Sequence, residues 1–346
     1  MSKKILVAIL GATGSVGQRF IKLLHNHPWF QVVAVAASER SVGKKYSEAV
    51  NWLMSTPIPS DVANLIVQPC KPNLDHPCTI AFSGLDSEVA GDIETAFAEA
   101  GYIVHSNARN HRMNSNVPLL VPEVNPDHLA LAHTQPHKGR IVTNPNCSTI
   151  GLVMALKPLQ QFGIEAVSVV TLQAVSGAGY PGIASLDIMD NVIPLIKGEE
   201  HKMETETLKI LGKFQNDRIE HTTFKISAQC NRVAVNDGHT ECVSIKFKNK
   251  PTKEQMIDAW ERFASEPQRL NLPTAPLKPI YYFHQENFPQ PKLHRCLDKG
   301  MALSIGRLRE CPIFDYKFTI LSHNTIRGAA GGAILNAELM WKQEQL

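Results

Sequence analysis

Short apolar runs and stretches of helical spacing alternate along the first third of the chain. Residues 4–10 and 32–37 are apolar runs, and between them residues 15–25 carry apolar side chains at the spacing of one helix face. Strand, glycine turn, helix and strand in this order predict a βαβ unit, which favours a parallel sheet. The alternation continues with predicted strands at 79–82, 102–105 and 140–143 and a predicted helix at 92–100.

The pattern changes after Cys147. A helix is predicted over 149–162, and longer strands with helices set apart from them follow, which is typical of an α+β domain. The predicted strands are 166–175, 242–247, 301–308 and 314–321, and the helices are 200–211, 253–264 and a final one opened by residues 324–332. We therefore expect an α/β chain of two domains. A Rossmann-type dinucleotide-binding domain spans 1–146 and is completed by the C-terminal helix at 324–346, and a second domain spans 147–323.

A glycine-rich turn joins the first predicted strand to the first predicted helix. Its glycines follow a GxxGxxG spacing, a variant of the dinucleotide-binding fingerprint. Glycine lets a backbone approach a pyrophosphate closely, and a helix N-terminus offers unpaired N–H groups to an anion. Glycines that merely end a strand are the alternative. We interpret the turn as a cofactor site that includes Gly11, Thr13, Gly14, Ser15, Val16 and Gly17.

The end of the second predicted strand indicates which dinucleotide binds. NAD sites usually place an acid there for the ribose 2′-hydroxyl, and Glu39 is a candidate. However, Ser38, Arg40 and Ser41 surround it with hydrogen-bond donors, which suit a 2′-phosphate. NADP is therefore the predicted cofactor, and a solvated basic loop is the alternative.

Composition and charge narrow the class of protein. The 346 residues suffice for two domains, and 43% hydrophobic with 19% charged residues is ordinary for a globular protein. A net charge of +3 without a basic block makes nucleic acid an unexpected partner. No stretch reaches about 18 consecutive apolar residues, so no membrane association is expected.

Seven scattered cysteines without a CxxC pair indicate neither a disulfide framework nor a zinc ribbon, so no metal is predicted and a reducing cytoplasm fits.

Cys147 differs from the other cysteines because it lies between a predicted strand and a predicted helix, in the stretch Thr143-Asn144-Pro145-Asn146-Cys147-Ser148-Thr149. A helix N-terminus can lower a thiol pKa into the range of about 3.5–7.5. Such a thiolate attacks carbonyl carbons and holds acyl groups as thioesters, while N–H groups of the turn stabilise the oxyanion.

The segment 231–239 carries further candidate chemistry. Asp-Gly at 237–238 is a hairpin signal, which would place Arg232 and His239 on one face of a two-stranded ribbon. An imidazole for proton transfer and a guanidinium for a carboxylate would then lie about 13 Å apart along the strands. Either the arginine reaches inward or the turn is not a simple two-residue hairpin. Together, a cysteine nucleophile, a histidine and an NADP site predict oxidation of an aldehyde to a thioester, or the reverse.

These residues resemble aspartate-semialdehyde dehydrogenases over nearly the whole chain. The matching stretches are GATGSVGQ from Gly11, NPNCST from Asn144, LQAVSGAGYPG from Leu172, GEEHKMETETLKIL from Gly198 and NRVAVNDGH from Asn231. The sequence Glu199-Glu200-His201-Lys202-Met203 is similar to the archaeal and fungal branch. The resemblance implies reduction of aspartyl phosphate to aspartate semialdehyde, with phosphate release, in a homodimer or homotetramer. It also implies that the second domain is the catalytic and dimerisation domain, as in the related glyceraldehyde-3-phosphate dehydrogenase-like folds.

The resemblance also implies roles for single residues. Cys147 is the expected nucleophile, His239 the acid/base and Gln173 the residue that positions the acyl group. Expected substrate contacts are Arg232 with the carboxylate, Glu199 with the amino group, and Lys202 and Arg112 with phosphate, together with Asn146. Arg109, three residues earlier, is the alternative to Arg112 as the arginine that contacts the phosphate. Expected cofactor contacts further along the chain are Ser83, Ser176, Gly177 and Asn324.

Other functions share parts of this pattern. N-acetyl-glutamyl-phosphate reductases usually have glycine before the cysteine and tyrosine after it, whereas this chain has Asn146 and Ser148. Malonyl- or succinyl-CoA reductases resemble the same branch, and CoA also carries phosphates. The cysteine-threonine-threonine signature of glyceraldehyde-3-phosphate dehydrogenase is not found. A nucleotide-binding regulator without catalysis is the alternative from another class.

Overall fold

The computed structural model describes residues 4–344 and contains two six-stranded sheets. The first sheet is entirely parallel, with strand order β3-β2-β1-β4-β5-β6. Its strands are β1 (Ile5–Leu10), β2 (Phe30–Ala37), β3 (Val67–Pro69), β4 (Ile80–Ser83), β5 (Ile103–Ser106) and β6 (Arg140–Thr143). The order reverses at β1, between β2 and β4, where doubly wound sheets bind their ligands.

Helices cover both faces of this sheet, which explains its continuous apolar runs. The helices of this part of the chain are α1 (Ser15–Leu24), α2 (Tyr46–Ala49), α3 (Ser60–Ala63) and α4 (Ser87–Glu99). The predicted βαβ unit and parallel sheet are confirmed. Helix α4 begins five residues earlier than predicted, because its first turn mixes Ser87 and Glu88 with Val89 and Ala90 and gives no clear apolar periodicity. The three-residue strand β3 was too short to produce a pattern.

The second sheet is mixed, with strand order β10-β7-β11-β14-β13-β12. Its strands are β7 (Ile164–Gln173), β10 (Lys225–Arg232), β11 (His239–Phe247), β12 (Ile280–Phe283), β13 (Leu303–Glu310) and β14 (Tyr316–Ser322), and β8 (Lys213–Gln215) and β9 (Arg218–Glu220) form a separate ribbon. The helices here are α5 (Cys147–Leu156), α6 (Ser185–Ile188), α7 (Glu199–Ile210), α8 (Lys253–Glu261), α9 (Glu266–Arg269) and α10 (Pro291–His294). Helix α5 ends before residue 162 because the chain continues as a 3₁₀ helix at Pro158, which lacks an N–H donor.

The hairpin predicted at 237–238 is wrong. Strands β10 and β11 do not pair with each other, because each pairs with β7, which lies between them. Residues 233–238 cross the end of β7 instead, where the Val233 N–H donates to the Gln173 carbonyl at 3.0 Å. Gly238 has φ +99°, so the glycine is needed for a positive φ, but in a crossover loop.

This crossover corrects the distance between Arg232 and His239. Arg232 lies directly beside Gln173, and Thr240 lies beside Leu172, so His239 is level with Gln173 on the other side. Neighbouring strands lie about 4.8 Å apart, and residues at one level point to one face. Arg232, Gln173 and His239 therefore form a row across three strands rather than positions about 13 Å apart on a hairpin.

The last helix, α11 (Gly331–Glu344), returns to the first sheet. Its Ile334, Leu335 and Leu339 are buried in one apolar core with Val7 and Phe20 of β1 and α1. A π-helical turn, Ile326–Ala330, precedes it, and Arg327 within this turn forms a buried bidentate pair with Glu123 at 2.7 and 2.5 Å. This pair fixes the returning segment, whose Gly328 lies against Cys147 at the start of α5. Within residues 4–344, no helix combines the length and the apolar character needed to cross a bilayer.

Candidate active site

Cys147 is the first residue of α5, at the turn that leaves β6. The preceding Asn146 caps the helix, because its Oδ1 accepts hydrogen bonds from the N–H groups of Ser148 at 3.0 Å and Thr149 at 3.2 Å. Asparagine is a preferred cap, since its side-chain oxygen satisfies N–H groups that have no partner within the helix. The sequence therefore places a partly exposed thiol at a capped helix start, as predicted.

Two buried carboxylates of α7 hold Asn146 in place. Glu199 Oε1 accepts a hydrogen bond from Asn146 Nδ2 at 2.7 Å, and Glu206 Oε2 accepts one from the Asn146 backbone N–H at 2.7 Å. The two acids are seven residues apart, which places them two turns apart on one helix face. Helix α7 thus fixes both the side chain and the backbone of the residue before Cys147.

His239 lies beside the thiol at the start of β11. Its Nε2 is 3.3 Å from Cys147 Sγ, and its Nδ1 accepts a hydrogen bond from the Ala174 N–H at 3.1 Å. The ring is fully buried. The structure therefore brings together the two residues expected to perform the chemistry, from strands and helices 92 residues apart in sequence.

Arg232 and Gln173, which lie level with His239 on the neighbouring strands, are two further predicted site residues. Arg232 Nη1 donates to the Ala174 carbonyl at 2.8 Å, and Gln173 Nε2 donates to Thr171 Oγ1 at 3.2 Å. Gly177 covers this row: a Cβ there would lie 2.7 Å from Arg232 Nη1 and 3.2 Å from His239 Nε2. Only glycine leaves both side chains in their positions.

The thiol pKa differs from the sequence expectation. Burial, and secondly the nearby Glu199 carboxylate, raise the pKa of Cys147 to about 12, although Arg232, Arg112 and Lys202 act in the opposite direction. The predicted lowering by the helix N-terminus is therefore outweighed in the chain without ligands. Burial also lowers the pKa of His239 to about 3.

The predicted phosphate residues lie on the α7 side of the site. Lys202 Nζ donates to Glu199 Oε2 at 3.1 Å, and this cation together with Asn146 lowers the Glu199 pKa despite burial, which acts to raise it. Arg112 is buried and pairs with Glu206 Oε1 at 2.9 Å, whereas Arg109 is exposed. Arg112 is therefore the arginine that the fold connects to the nucleophile turn.

Sequence analysis missed two residues that organise this side of the site. Glu206 joins Arg112 to Asn146, and Lys209 Nζ donates to the carbonyls of Arg112, Asn114 and Val117 at 2.7, 2.8 and 2.9 Å. A signal was present in α7, because charged residues 199, 202, 206 and 209 follow the spacing of one helix face. A helix that packs on a protein core usually has apolar residues along its inward face. Charged residues along that face of α7 therefore indicate buried ion pairs.

The glycine turn fits a dinucleotide. A Cβ on Gly17 would lie 2.2 Å from the Gly11 carbonyl oxygen, and one on Gly11 would lie 2.8 Å from the Gly84 carbonyl oxygen, so the loops after β1 and β4 pack backbone on backbone. Gly14 caps α1 without a side-chain hydrogen bond, and the first turn carries no acid. The helix start therefore offers N–H groups to an anion.

The remaining cofactor candidates differ in their surroundings. Ser38 and Arg40 are exposed at the end of β2, and the Ser41 N–H donates to the Ser38 carbonyl at 2.9 Å. Ser83 is fully buried, and its hydroxyl already donates to Glu94 at 2.6 Å. We therefore leave the Ser83 hydroxyl out of the cofactor site proposed below.

Asn324 connects the second sheet to the segment after β7. Its Oδ1 accepts a hydrogen bond from the Gly238 N–H at 2.9 Å, and its Nδ2 donates to Ser176 Oγ at 2.8 Å. Four residues further, a Cβ on Gly328 would lie 2.7 Å from Cys147 Cβ. The returning segment therefore packs closely against Cys147.

Comparison with known proteins now decides the family. The profile described as the NAD binding domain of semialdehyde dehydrogenases matches residues 6–132, and that of their dimerisation domain matches 156–327. The aspartate-semialdehyde dehydrogenase of Archaeoglobus fulgidus is 49% identical over 343 residues, covering 98% of each chain. The chain belongs to the aspartate-semialdehyde dehydrogenase family. The enzyme of Saccharomyces cerevisiae is 48% identical, also covering 98% of each chain, so the resemblance to archaeal and fungal members is confirmed.

Solved structures of the family agree with this fold. The aspartate-semialdehyde dehydrogenase of Candida albicans, solved with NADP, superposes with a TM-score of 0.91 at 43% identity, covering 99% of this chain and 100% of that one. A second form of the enzyme from Vibrio cholerae, in complex with ASA, gives a TM-score of 0.77 at 28% identity with 98% coverage of both. The predicted α/β class and semialdehyde dehydrogenase fold are confirmed.

The carboxylate of Glu206 should be required for stability. Glu206→Gln leaves one acceptor for two donors and turns an amide donor toward Arg112 or the Asn146 N–H. We expect the free energy of unfolding to fall by roughly 1–3 kcal/mol, the usual cost of an unsatisfied buried polar group. Urea unfolding measures it. Glu204→Gln on the same helix is the matched control, because a glutamine carbonyl can still accept the bond from the Ala228 N–H. Equal stability of the two variants would contradict a stabilising role for the Glu206 contacts with Arg112 and Asn146.

Proposed function

We propose that this chain is an NADP-dependent, phosphorylating dehydrogenase that reduces L-4-aspartyl phosphate to L-aspartate 4-semialdehyde through a thioester on Cys147. The observation that carries the proposal is the contact of Cys147 Sγ with His239 Nε2 at 3.3 Å, at a capped helix start. This product feeds the biosynthesis of lysine and diaminopimelate, threonine, methionine and isoleucine. The names of the relatives at 48–49% identity support the same reaction.

The substrate lies between two sets of charged groups in this proposal. Arg232 binds the carboxylate through its planar guanidinium, and Glu199 binds the amino group. Lys202 and Arg112 bind the phosphate, since both cations lie beside the Glu199–Asn146–Glu206 cluster. The acyl carbon then faces Cys147 Sγ, with Gln173 positioning the acyl group and the N–H groups of the α5 start near the oxyanion.

The cofactor is held by the turn after β1. The N–H groups at the start of α1 bind the pyrophosphate, and Ser38, Arg40 and Ser41 bind the 2′-phosphate that distinguishes NADP from NAD. Ser176, Gly177 and Asn324 border the nicotinamide, next to the row of Gln173 and His239. NADPH, when bound, supplies the hydride. Support comes from the backbone packing of Gly11, Gly17 and Gly84 and from the relative solved with NADP.

The partners are small molecules and a second copy of the chain. The match to a dimerisation domain over 156–327 supports a homodimer, and a homotetramer formed from two dimers belongs to the same proposal. A cytoplasmic location fits the seven free thiols, all of which lie within the described residues.

The substrate proposal predicts a simple order of activities. NADPH oxidation should be fastest with aspartyl phosphate and at least about 100-fold slower with N-acetylglutamyl phosphate or malonyl-CoA, because Arg232 and Glu199 recognise a free carboxylate and amino group. The rate of NADPH oxidation with each substrate is measured by absorbance in separate assays, with Cys147→Ser as the inactive control. Preference for malonyl-CoA would overturn the acyl-phosphate assignment, and activity of Cys147→Ser would remove Cys147 from the mechanism.

Arg40 should determine the choice between NADP and NAD. Arg40→Ala should weaken NADP binding by roughly 10- to 100-fold, since a hydrogen bond to a charged group contributes about 1.5–3 kcal/mol, and leave NAD binding nearly unchanged. Fluorescence titration of both cofactors provides the constants. Lys44→Ala, an exposed change in the same loop, is the control. Equal losses for both cofactors would show that Arg40 does not contact the 2′-phosphate.

Lys202 and Arg232 should separate phosphate binding from carboxylate binding. In the aldehyde-oxidising direction, Lys202→Gln should raise the KM for phosphate by about 10-fold or more, because it removes a charge but keeps a donor for Glu199. Arg232→Lys should instead lower kcat/KM for the aldehyde at every phosphate concentration, since it loses the planar fork. Lys197→Gln, at an exposed neighbouring position, should change neither. An unchanged phosphate KM in Lys202→Gln would favour a CoA thioester reductase.

A further inference from the structure

The strand that carries Arg232 lies at one edge of the second sheet. Strand β10 comes first in the order β10-β7-β11-β14-β13-β12, so β7 pairs with one of its two sides. The backbone N–H groups on its other side need acceptors from elsewhere, because a buried N–H without a partner is costly. These acceptors therefore determine what lies beside Arg232.

Helix α7 supplies two of the acceptors. Glu200 Oε1 accepts a hydrogen bond from the Cys230 N–H and Glu204 Oε1 accepts one from the Ala228 N–H, both at 3.0 Å. Two residues of a strand span about 6.6 Å and four residues of a helix rise about 6.0 Å, so the two repeats match. Since the helix number rises as the strand number falls, α7 runs antiparallel to β10. The helix thus takes the position of a neighbouring strand.

The segment that leads into α7 is tied to the same edge. The Arg232 N–H donates to the Ile193 carbonyl at 2.9 Å, and the Ile193 N–H donates back to the Arg232 carbonyl at 3.1 Å. Glu199 therefore lies between two ties to β10, with Ile193 before it and Glu200 directly after it. The ties are made at neighbouring outward N–H groups of the strand, those of Arg232 and Cys230.

The Glu199 carboxylate itself contacts other groups. Its Oε1 accepts from Asn146 Nδ2 at 2.7 Å and its Oε2 accepts from Lys202 Nζ at 3.1 Å. Adjacent residues of a helix point about 100° apart, so one turn of α7 can contact two partners. Glu199 faces the turn before Cys147, and Glu200 faces the edge of β10. The bond from Cys230 to Glu200 therefore connects the helix start that carries Glu199 to the strand that carries Arg232.

We propose that Glu200 is a positioning residue that fixes the spacing between the Glu199 carboxylate and the Arg232 guanidinium. It thereby makes the site selective for substrates that carry a carboxylate and an amino group on one carbon. The inference rests on the proposed function, in which Arg232 binds the carboxylate and Glu199 the amino group. Strand β10 pairs with β7 along its whole length, so loss of the Glu200 contact displaces the helix start rather than Arg232. The amino-group contact is then lost while the carboxylate contact remains.

A comparison of two aldehydes measures this spacing. Succinic semialdehyde differs from aspartate semialdehyde only in lacking the amino group, so it can use Arg232 but not Glu199. The ratio of kcat/KM for aspartate semialdehyde to kcat/KM for succinic semialdehyde therefore reports the Glu199 contact, and NADPH formation in the presence of phosphate gives both values. Glu200→Ala should lower this ratio by about 10-fold or more, because a misplacement of about 1 Å can cost about 100-fold. An unchanged ratio would overturn the inference.

Two further variants separate positioning from a general loss of stability. Glu200→Gln keeps an oxygen that accepts from the Cys230 N–H, so it should keep the wild-type ratio. Glu204→Ala removes the same kind of bond one helix turn further from Glu199, and it should also keep the ratio. A purely structural role would lower activity on both aldehydes alike in the two alanine variants. A ratio that falls in Glu200→Gln or in Glu204→Ala as far as in Glu200→Ala would likewise contradict the proposal.

Glu200→Asp provides the decision if Glu200→Ala does not fold. Aspartate keeps the charge but is shorter by one CH₂ group, so it reaches the Cys230 N–H only if the helix start moves toward β10. We expect a lowered ratio in this variant, and a wild-type ratio would refute the role of Glu200.

The outcomes distinguish this inference from the proposed function. A wild-type chain that does not oxidise aspartate semialdehyde, or does not prefer it to succinic semialdehyde, contradicts the function or the role of Glu199 in it. A wild-type chain that shows the preference and keeps it in Glu200→Ala refutes only the inference about Glu200.

Discussion

The structure depends on how the backbone is held at one turn, the one that leaves β6 and starts α5. Asn146 donates there one hydrogen bond from its side-chain amide to Glu199 and one from its backbone N–H to Glu206, both at 2.7 Å. Leaving a buried acid without its partners costs several kcal/mol, so α7 and the turn must form together. The same acids pair with Lys202 and Arg112, and Cys147, the two cations and the helix cap therefore share one set of contacts.

The second sheet meets this turn from the other side. Strands β10 and β7 end at Arg232 and Gln173, and β11 begins at the same level with His239. The returning segment adds Gly328 against Cys147 and Gly332 against Asn144. A Cβ at either glycine would lie 2.7 Å from an atom of the nucleophile turn. The site is thus built where the parallel sheet, the mixed sheet and the C-terminal segment converge.

Local patterns predicted the parts of this arrangement that local physics determines. The glycine turn after β1 and the cysteine at a strand-to-helix turn are signals within ten residues, and both agree with the structure. The Asp-Gly hairpin failed because the partner of both strands is β7, some 60 residues earlier, and no local signal reports such a crossover. The thiol pKa was missed for the same reason, since burial and Glu199 outweigh the helix start. The role of Glu206 could not be predicted either, because it follows from the packing of α7 against the turn before Cys147.

The central claim is that Cys147 carries the acyl group during turnover. Intact-protein and peptide mass spectrometry after mixing the chain with aspartate semialdehyde and NADP, without phosphate, tests it most directly. The account predicts an added aspartyl group on the peptide that contains Cys147, removed when phosphate is supplied. Reduced cofactor that accumulates while Cys147 stays unmodified, or an acyl group on another of the seven cysteines, would contradict it.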